Sequence, residues 1–82
     1  MTNKRMHQLE RRVRINFSNF NQIIYPKDVG IKFLEQITTL TIKSVWYEYY
    51  RGNISISEAY FMAHCARIYY WHYKTLIDKN FE

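Results

Sequence analysis

Apolar residues in the first part of the chain recur at intervals of three or four positions. They fall on one stripe of a helix: Met6, Leu9, Val13, Phe17, Phe20 and Ile24. Lys4 and His7 fall on the opposite side, and Thr2 can cap the first turn. This spacing predicts a helix over residues 3–24. Its weakest part is residues 16–22, where Ser and Asn side chains compete for backbone hydrogen bonds.

The second part lies between two breaks, Pro26 and Gly52. Proline suits the first turn of a helix, and Gly-Asn favours a helix end, so a helix is predicted over residues 27–51. Its inner face comprises Phe33, Leu34, Ile37, Leu40, Thr41 and Val45, with Ile31, Ile42 and Tyr49 at the edge. Residues 37–50 also resemble a strand, because they are rich in β-branched and aromatic side chains. Helix is preferred, since a single strand would have no partner and the apolar spacing is closer to 3.6 than to 2.

The third part begins with Ser55 and Glu58, spaced as a capping box in which hydroxyl and carboxylate accept each other's backbone N–H. A helix is therefore predicted over residues 55–79, and three alanines on its inner face allow a neighbouring helix to approach closely. The fold class is then all-α, a compact three-helix bundle forming one domain over residues 1–82. The residues expected to be largely buried are Leu9, Val13, Phe17, Phe33, Ile37, Leu40, Ala63, Ala66, Tyr70 and Tyr73.

Length and cysteine content fit one small intracellular domain. The 82 residues are 48% hydrophobic, enough for one core near the lower size limit. Cys65 is the single cysteine, which excludes an intramolecular disulfide and favours a reducing compartment, the cytoplasm. The charged beginning lacks the apolar core of a secretory signal, and no run approaches the roughly 18 apolar residues of a membrane span. We therefore expect no membrane association.

Positive charge is concentrated before Pro26. The net charge is +5, and the first 25 residues carry five basic side chains against one acid, Glu10. The basic residues are Lys4, Arg5, Arg11, Arg12 and Arg14. Such a field attracts phosphate groups or an acidic protein surface. The alternative is a solvated helix face that keeps the protein soluble.

Motifs for metal binding or catalysis are missing from the sequence. His64 and Cys65 are adjacent, so on a helix they diverge by about 100° and cannot share a metal ion. The chain has two glycines, too few for a phosphate-binding loop, and no nucleophile is paired with a base by its spacing. The sequence predicts a protein that is not an enzyme and needs no cofactor or metal.

Aromatic and basic residues alternate on the predicted outer faces of two helices. Tyr69, Tyr70 and Tyr73 fall on the packed side of the third helix. The outer set is Tyr60, His64, Arg67 and Trp71, with Lys43, Trp46 and Tyr50 on the second helix. Such rings stack on unpaired RNA or DNA bases, anchor protein interfaces, or become buried in a homodimer. All three interpretations stay open.

In size and composition the chain resembles the small accessory proteins of T-even-like tailed phages. It is short, rich in Lys, Ile, Asn and Tyr, poor in Gly and Pro, and without catalytic motifs. The resemblance assigns no residue roles. It implies an inhibitor or modulator of a host protein or ribonucleoprotein, including anti-defence proteins, acting in the host cytoplasm. The alternatives are a factor that binds RNA or DNA directly and an oligomeric structural protein.

Overall fold

The structure is a computed structural model that describes residues 1–18, 20 and 26–80. It contains three helices: α1 Asn3–Ser18, α2 Lys27–Tyr50 and α3 Ile56–Asn80. No strand occurs within these ranges, and residues 37–50 lie inside α2. The predicted all-α fold with three helices is confirmed, and the strand alternative is wrong.

Both ends of α1 are set by hydroxyl side chains. The Arg5 N–H donates to Thr2 Oγ1 at 3.1 Å, so the predicted N-cap is confirmed. The helix ends at Ser18, earlier than predicted, where the Ser18 hydroxyl donates to the carbonyl of Ile15 at 2.7 Å. A serine that satisfies a carbonyl of the last turn favours a helix end. Phe20 follows in a 3₁₀ turn and is buried. The rest of the predicted extension, Asn19 and residues 21–24, lies outside the described residues.

The end of α2 forms a Schellman motif around Gly52. This glycine has φ 78°, a left-handed conformation that other residues adopt only at a cost. Its N–H donates to the carbonyl of Tyr49 at 2.9 Å, and the Asn53 N–H donates to that of Glu48 at 3.0 Å. These two bonds satisfy carbonyls that the helix itself leaves open. The Gly-Asn stop predicted from the sequence is therefore confirmed.

The start of α3 has the predicted capping box. The Glu58 N–H donates to Ser55 Oγ at 3.1 Å, and the Ser55 N–H donates to Glu58 Oε1 at 2.8 Å. Only a few residues separate this cap from the Schellman motif, so α2 and α3 form an antiparallel hairpin. Accordingly, Lys27 Nζ at the start of α2 lies 3.5 Å from Asp78 Oδ1 near the end of α3.

Helix α3 lies between the other two and packs along both, whereas α1 and α2 touch little. The resulting bundle is elongated, measuring 42 × 23 × 17 Å. Ala59 and Ala63 are fully buried on α3, and side chains this small allow close helix packing. Each helix therefore keeps an outer face, and a groove separates α1 from α2.

The core is centred on an aromatic stack between α1 and α3. The ring centroid of Phe17 lies 5.5 Å from that of Tyr69 and 6.1 Å from that of Tyr73. Leu9 and Leu34 are fully buried beside this stack in the same cluster. Each such side chain contributes about 1.5–3 kcal/mol on burial. The stack thus fixes α1 against α3 rather than against α2.

Six of the ten residues predicted to be in the core are buried: Leu9, Val13, Phe17, Ala63, Ala66 and Tyr73. Phe33, Ile37 and Tyr70 are only partly buried, at the edge of the core. The prediction is wrong for Leu40, which is 65% exposed. Because α1 packs along α3, the side of α2 that carries Leu40 faces the open groove between α1 and α2 in the described part of the chain.

Candidate partner-binding surface

The outer face of α3 carries a continuous line of side chains, Tyr60, His64, Arg67 and Trp71, here named the aromatic ridge. Spacings of four, three and four residues place them on one stripe that extends about 16 Å along the helix. Tyr60 is 62% exposed and Trp71 is 61% exposed. His64 and Arg67 between them are exposed as well. Their predicted position outside the core is confirmed.

The ring of Trp71 is held by its neighbours although it is exposed. Its centroid lies 5.5 Å from that of Tyr70, with the ring planes at 73°. Lys74 Nζ lies 5.4 Å from the same centroid, within cation–π range. That ammonium is also 3.6 Å from Asp78 Oδ2. The Trp71 end of the ridge is therefore an aromatic surface with a fixed positive charge beside it.

Trp46 supports the other end of the ridge. Its ring centroid is 5.3 Å from that of Tyr60 at 87°, and 5.9 Å from that of Tyr49 at 88°. The side chain is partly buried against the core, so the prediction that it lies outside is wrong. Helix α2 packs along α3, and this packing brings Trp46 into contact with Tyr60. Trp46 thus orients Tyr60 instead of being exposed itself.

The outer face of α2 adds two predicted residues and one that sequence reasoning missed. Lys43 is exposed, and Tyr50 is 81% exposed, as predicted. The missed residue is Tyr47, 59% exposed, with the Arg51 guanidinium 5.5 Å from its ring centroid. Tyr47 follows Lys43 by four positions, which was the available signal for a shared outer stripe. Rings and cations therefore continue onto the end of α2.

A second missed residue borders the aromatic ridge. Ile68 follows His64 by four positions on α3 and is 52% exposed. The same spacing argument would have found it. An apolar side chain beside two exposed rings enlarges the surface that a partner could bury.

The basic residues of α1 divide into two kinds. Four are exposed and are here named the basic face of α1: Lys4, Arg11, Arg12 and Arg14. Arg14 Nε is 3.8 Å from Glu10 Oε1, at the limit of an ion pair, whereas the other three make no ion pair within the part of the chain that the structure describes. Arg5 differs, because its Nε lies 2.6 Å from Glu58 Oε2 and it is thus engaged inside the protein.

Glu10, the one acid of α1, is turned toward α3. The Tyr69 hydroxyl donates to Glu10 Oε1. Burial and this hydrogen bond raise the pKa of Tyr69 to about 12, since both disfavour a phenolate beside a carboxylate. The outer side of α1 therefore carries positive charge without a compensating acid. The structure does not bring this basic face together with the aromatic ridge, because α3 presents the ridge on a different side.

A polar slot of 160 Å³ lies in the groove between α1 and α2. The Asn16 amide donates to Thr41 Oγ1 at 3.2 Å inside it, and Arg12 and Glu48 line its walls. This hydrogen bond satisfies Thr41, a buried polar residue. The slot is therefore a structural link between two helices that otherwise touch little.

Among the described residues there is no metal cluster, and the single cysteine is buried. No group of three His, Cys, Asp or Glu side chains within them could hold a metal ion. Cys65 is buried, and burial together with the charge of Glu10 raises the pKa of its thiol. A thiol in that state is a poor nucleophile.

Among the helices described, none is both long and apolar enough to cross a lipid bilayer. Comparisons with protein-family models, curated proteins and solved structures give no match to this chain.

Proposed function

We propose that the chain is a non-enzymatic binding protein that engages another protein through the aromatic ridge. The observation that carries this proposal is the exposure of Tyr60 and Trp71 on either side of Arg67, along one stripe of α3. Trp, Tyr and Arg are the residues that most often dominate the binding energy of protein interfaces. A stripe that contains all three is suited to be the centre of such an interface.

Three contacts favour this surface over a set of unsupported exposed rings. Trp46 packs edge-on against Tyr60, and Lys74 and Tyr70 flank Trp71. Side chains that are already ordered lose little conformational entropy when a partner binds. The ridge is therefore preorganised, which raises the affinity available from a small contact area.

The charge around the ridge supports an acidic partner. Arg67 lies on the ridge, Lys74 lies beside Trp71, and Lys43 lies on the neighbouring face of α2. With a net charge of +5, the protein would be steered toward an acidic surface. The resemblance to phage accessory proteins extends the proposal: the partner is then a host protein or ribonucleoprotein, and binding inhibits or modulates it in the host cytoplasm.

The test is capture of partners from nuclease-treated host lysate by the immobilised protein. Trp71→Ala should weaken capture by about 30-fold, corresponding to about 2 kcal/mol for a central interface residue. Leu40→Ala is the matched control, since Leu40 is 65% exposed, much as Trp71 is, but lies on α2 in the groove toward α1 and not on the ridge. Equal capture by both variants would contradict the proposal.

A homodimer that buries the ridge is the competing outcome. Sedimentation of the free protein over a wide concentration range separates the two. If the molecular mass stays that of the monomer at all concentrations, the ridge is free to bind another protein, as proposed. A mass that rises with concentration, and becomes monomeric in Trp71→Ala, would instead assign the ridge to self-association.

A further inference from the structure

The basic face of α1 is a second surface, separate from the aromatic ridge. We infer that it is a docking site for double-stranded DNA, with α1 seated in the major groove and its cations on the phosphates. This inference does not depend on the proposed function, because the two surfaces lie on different helices.

The cations of α1 are spread across its whole outer half. At about 100° per residue, Arg12 and Arg14 lie about 160° apart around the helix axis, with Arg11 between them. Lys4 lies within about 20° of Arg11 and about 10 Å away along the axis. All four side chains are exposed. The face therefore has one cation on each flank and two along its centre.

Glu10, the acid of α1, and Glu48, the acid that lines the slot with Arg12, are both engaged inside the protein. Glu48 accepts a hydrogen bond from the Asn53 side-chain amide at 2.9 Å. Glu10 accepts a hydrogen bond from the Tyr69 hydroxyl on α3. Lys4, Arg11 and Arg12 make no ion pair with the described residues, and Arg14 is only loosely paired, with a side chain that is 55% exposed. The cations are thus available to neutralise an external anion at little cost in broken contacts.

The chemistry of this face favours phosphates over a protein surface. A protein interface needs a buried apolar centre, and α1 presents Ile15 as its exposed large apolar side chain, with no exposed Phe, Tyr or Trp on the helix. A nucleic-acid backbone needs only cations, and guanidinium groups bind phosphate oxygens in a bidentate manner. Three of the four cations are arginines.

The shape of α1 favours a B-form duplex over other nucleic acids. The helix has 16 residues, about 24 Å in length, and touches α2 little, so most of its outer half is open and only its Arg12 flank borders the slot between α1 and α2. The major groove of B-DNA is about 12 Å wide and admits an α-helix, whereas that of A-form RNA does not. Arg12 and Arg14 on opposite flanks would then reach phosphates of the two strands, while Lys4 and Arg11 face the groove.

The experiment measures binding of the free protein to a fluorescent DNA duplex of about two helical turns as salt concentration is varied. Each neutralised phosphate contributes about −0.9 to the slope of log K against log salt for B-DNA. Four cations predict a slope of about −3.6, or about a 150-fold loss of affinity between 50 and 200 mM salt. An RNA duplex and a single strand of the same sequence serve as the other ligands.

Charge reversals locate the surface. The triple reversal of Arg11, Arg12 and Arg14 to Glu should reduce affinity for the duplex at least about tenfold and flatten the slope. The matched control reverses Lys32, Lys43 and Arg67, which are equally exposed and change the net charge by the same amount. Circular dichroism checks that both variants keep the helices.

Each result of these DNA-binding measurements either supports or overturns the inference. If the α1 triple reversal loses affinity for the DNA duplex and the control reversal retains it, the inference is supported. An equal loss of duplex affinity in both variants would mean that net charge alone governs binding. A preference of the wild type for the RNA duplex or the single strand would exclude seating in a B-form groove. Either result overturns the inference, as does absence of binding at low salt. Trp71→Ala should leave DNA binding unchanged, so failure here is distinguishable from failure of the ridge to capture a protein.

Discussion

Arg5 and Glu58 join the starts of α1 and α3, with Arg5 Nε 2.6 Å from Glu58 Oε2. The other carboxylate oxygen of Glu58 accepts the backbone N–H of Ser55 at 2.8 Å. One side chain therefore caps its own helix and holds the first helix in place. The Glu58 side chain is 16% exposed, so this ion pair is shielded from water more than a typical surface pair.

The two roles of Glu58 are separable by substitution. Glu58→Ala removes both the cap and the ion pair and should lower the free energy of unfolding by about 1–2 kcal/mol. Glu58→Gln keeps an oxygen that can accept the Ser55 N–H and should lower it by less. Urea titrations of the two variants and the wild type measure the three free energies of unfolding and so test this order. An alanine variant as stable as the wild type would show that the cap contributes nothing.

The stability contributed by Glu58 should depend on pH. The Ser55 N–H, and then Arg5, hold the pKa of the Glu58 carboxyl below its ordinary value of 4.5. Because the folded pKa is the lower one, this stability is complete above about 4.5 and is lost as the pH falls through the folded pKa. Urea midpoints below pH 4.5 should therefore converge for wild type and Glu58→Gln, and differ most near neutrality. A difference that is constant with pH would exclude this assignment.

Tyr69 should titrate apart from the other tyrosines. Burial and the hydrogen bond to Glu10 raise its pKa to about 12, from an ordinary value of 10.0. A raised folded pKa means that the stability it contributes is complete below pH 10 and is lost as the pH rises toward 12. An ultraviolet titration of the eight tyrosines should show a late phase that is missing in Tyr69→Phe. A late phase retained in that variant would assign it to a different ring.

Leu34 and Leu40 provide a matched test of the packing, because both are leucines on α2. Leu34 is fully buried, so Leu34→Ala should lower the free energy of unfolding by about 2–5 kcal/mol. Leu40 is 65% exposed, so Leu40→Ala should change it by no more than about 0.5 kcal/mol. Urea denaturation measures both. Equal losses would mean that α1 covers α2 in solution and that the original sequence prediction for Leu40 was right.

The difference between these leucines shows where sequence reasoning reaches its limit. A 3.6-residue period identifies which side chains share a face, and caps are local, so the helices and both ends of the α2–α3 connection were predictable. The period does not say which helices become neighbours. Leu40 and Trp46 were misplaced for that reason, since their burial depends on where α1 and α3 lie.

The candidate surfaces were predictable to the same extent. Tyr60 and Trp71 lie on the face opposite the core, and that follows from helical position alone. The Arg5–Glu58 ion pair joins residues 53 positions apart, and no pattern in the sequence indicates it. The withdrawal of Glu10 from the outer face of α1 is likewise a tertiary effect, because it depends on a hydroxyl from α3.

Ala63 tests the close packing of the buried face of α3. It is 1% exposed on the inner face of α3, so Ala63→Leu should overpack the contact and lower the free energy of unfolding by roughly 1–3 kcal/mol. His64→Leu introduces the same side chain at the next position, which is exposed, and should change stability little. An unchanged urea midpoint in Ala63→Leu would remove the close-packing interpretation.

The two tryptophans should report different environments in the free protein. Trp46→Phe leaves Trp71, which is 61% exposed, and its fluorescence should be strongly quenched by acrylamide. Trp71→Phe leaves Trp46, which packs against Tyr49 and Tyr60 and should be quenched less. Similar quenching of both would contradict the partial burial of Trp46.

Charged quenchers test the cation beside Trp71. Lys74 Nζ lies 5.4 Å from the ring centroid, so iodide should quench Trp71 more efficiently than caesium does, and the difference should shrink as salt is added. Lys74→Gln should reduce the preference for iodide while acrylamide quenching stays the same. An iodide-to-caesium quenching ratio that is unchanged in Lys74→Gln would mean that Lys74 does not set the charge near this ring, and that the charge proposed to attract an acidic partner to this end of the ridge has a different source.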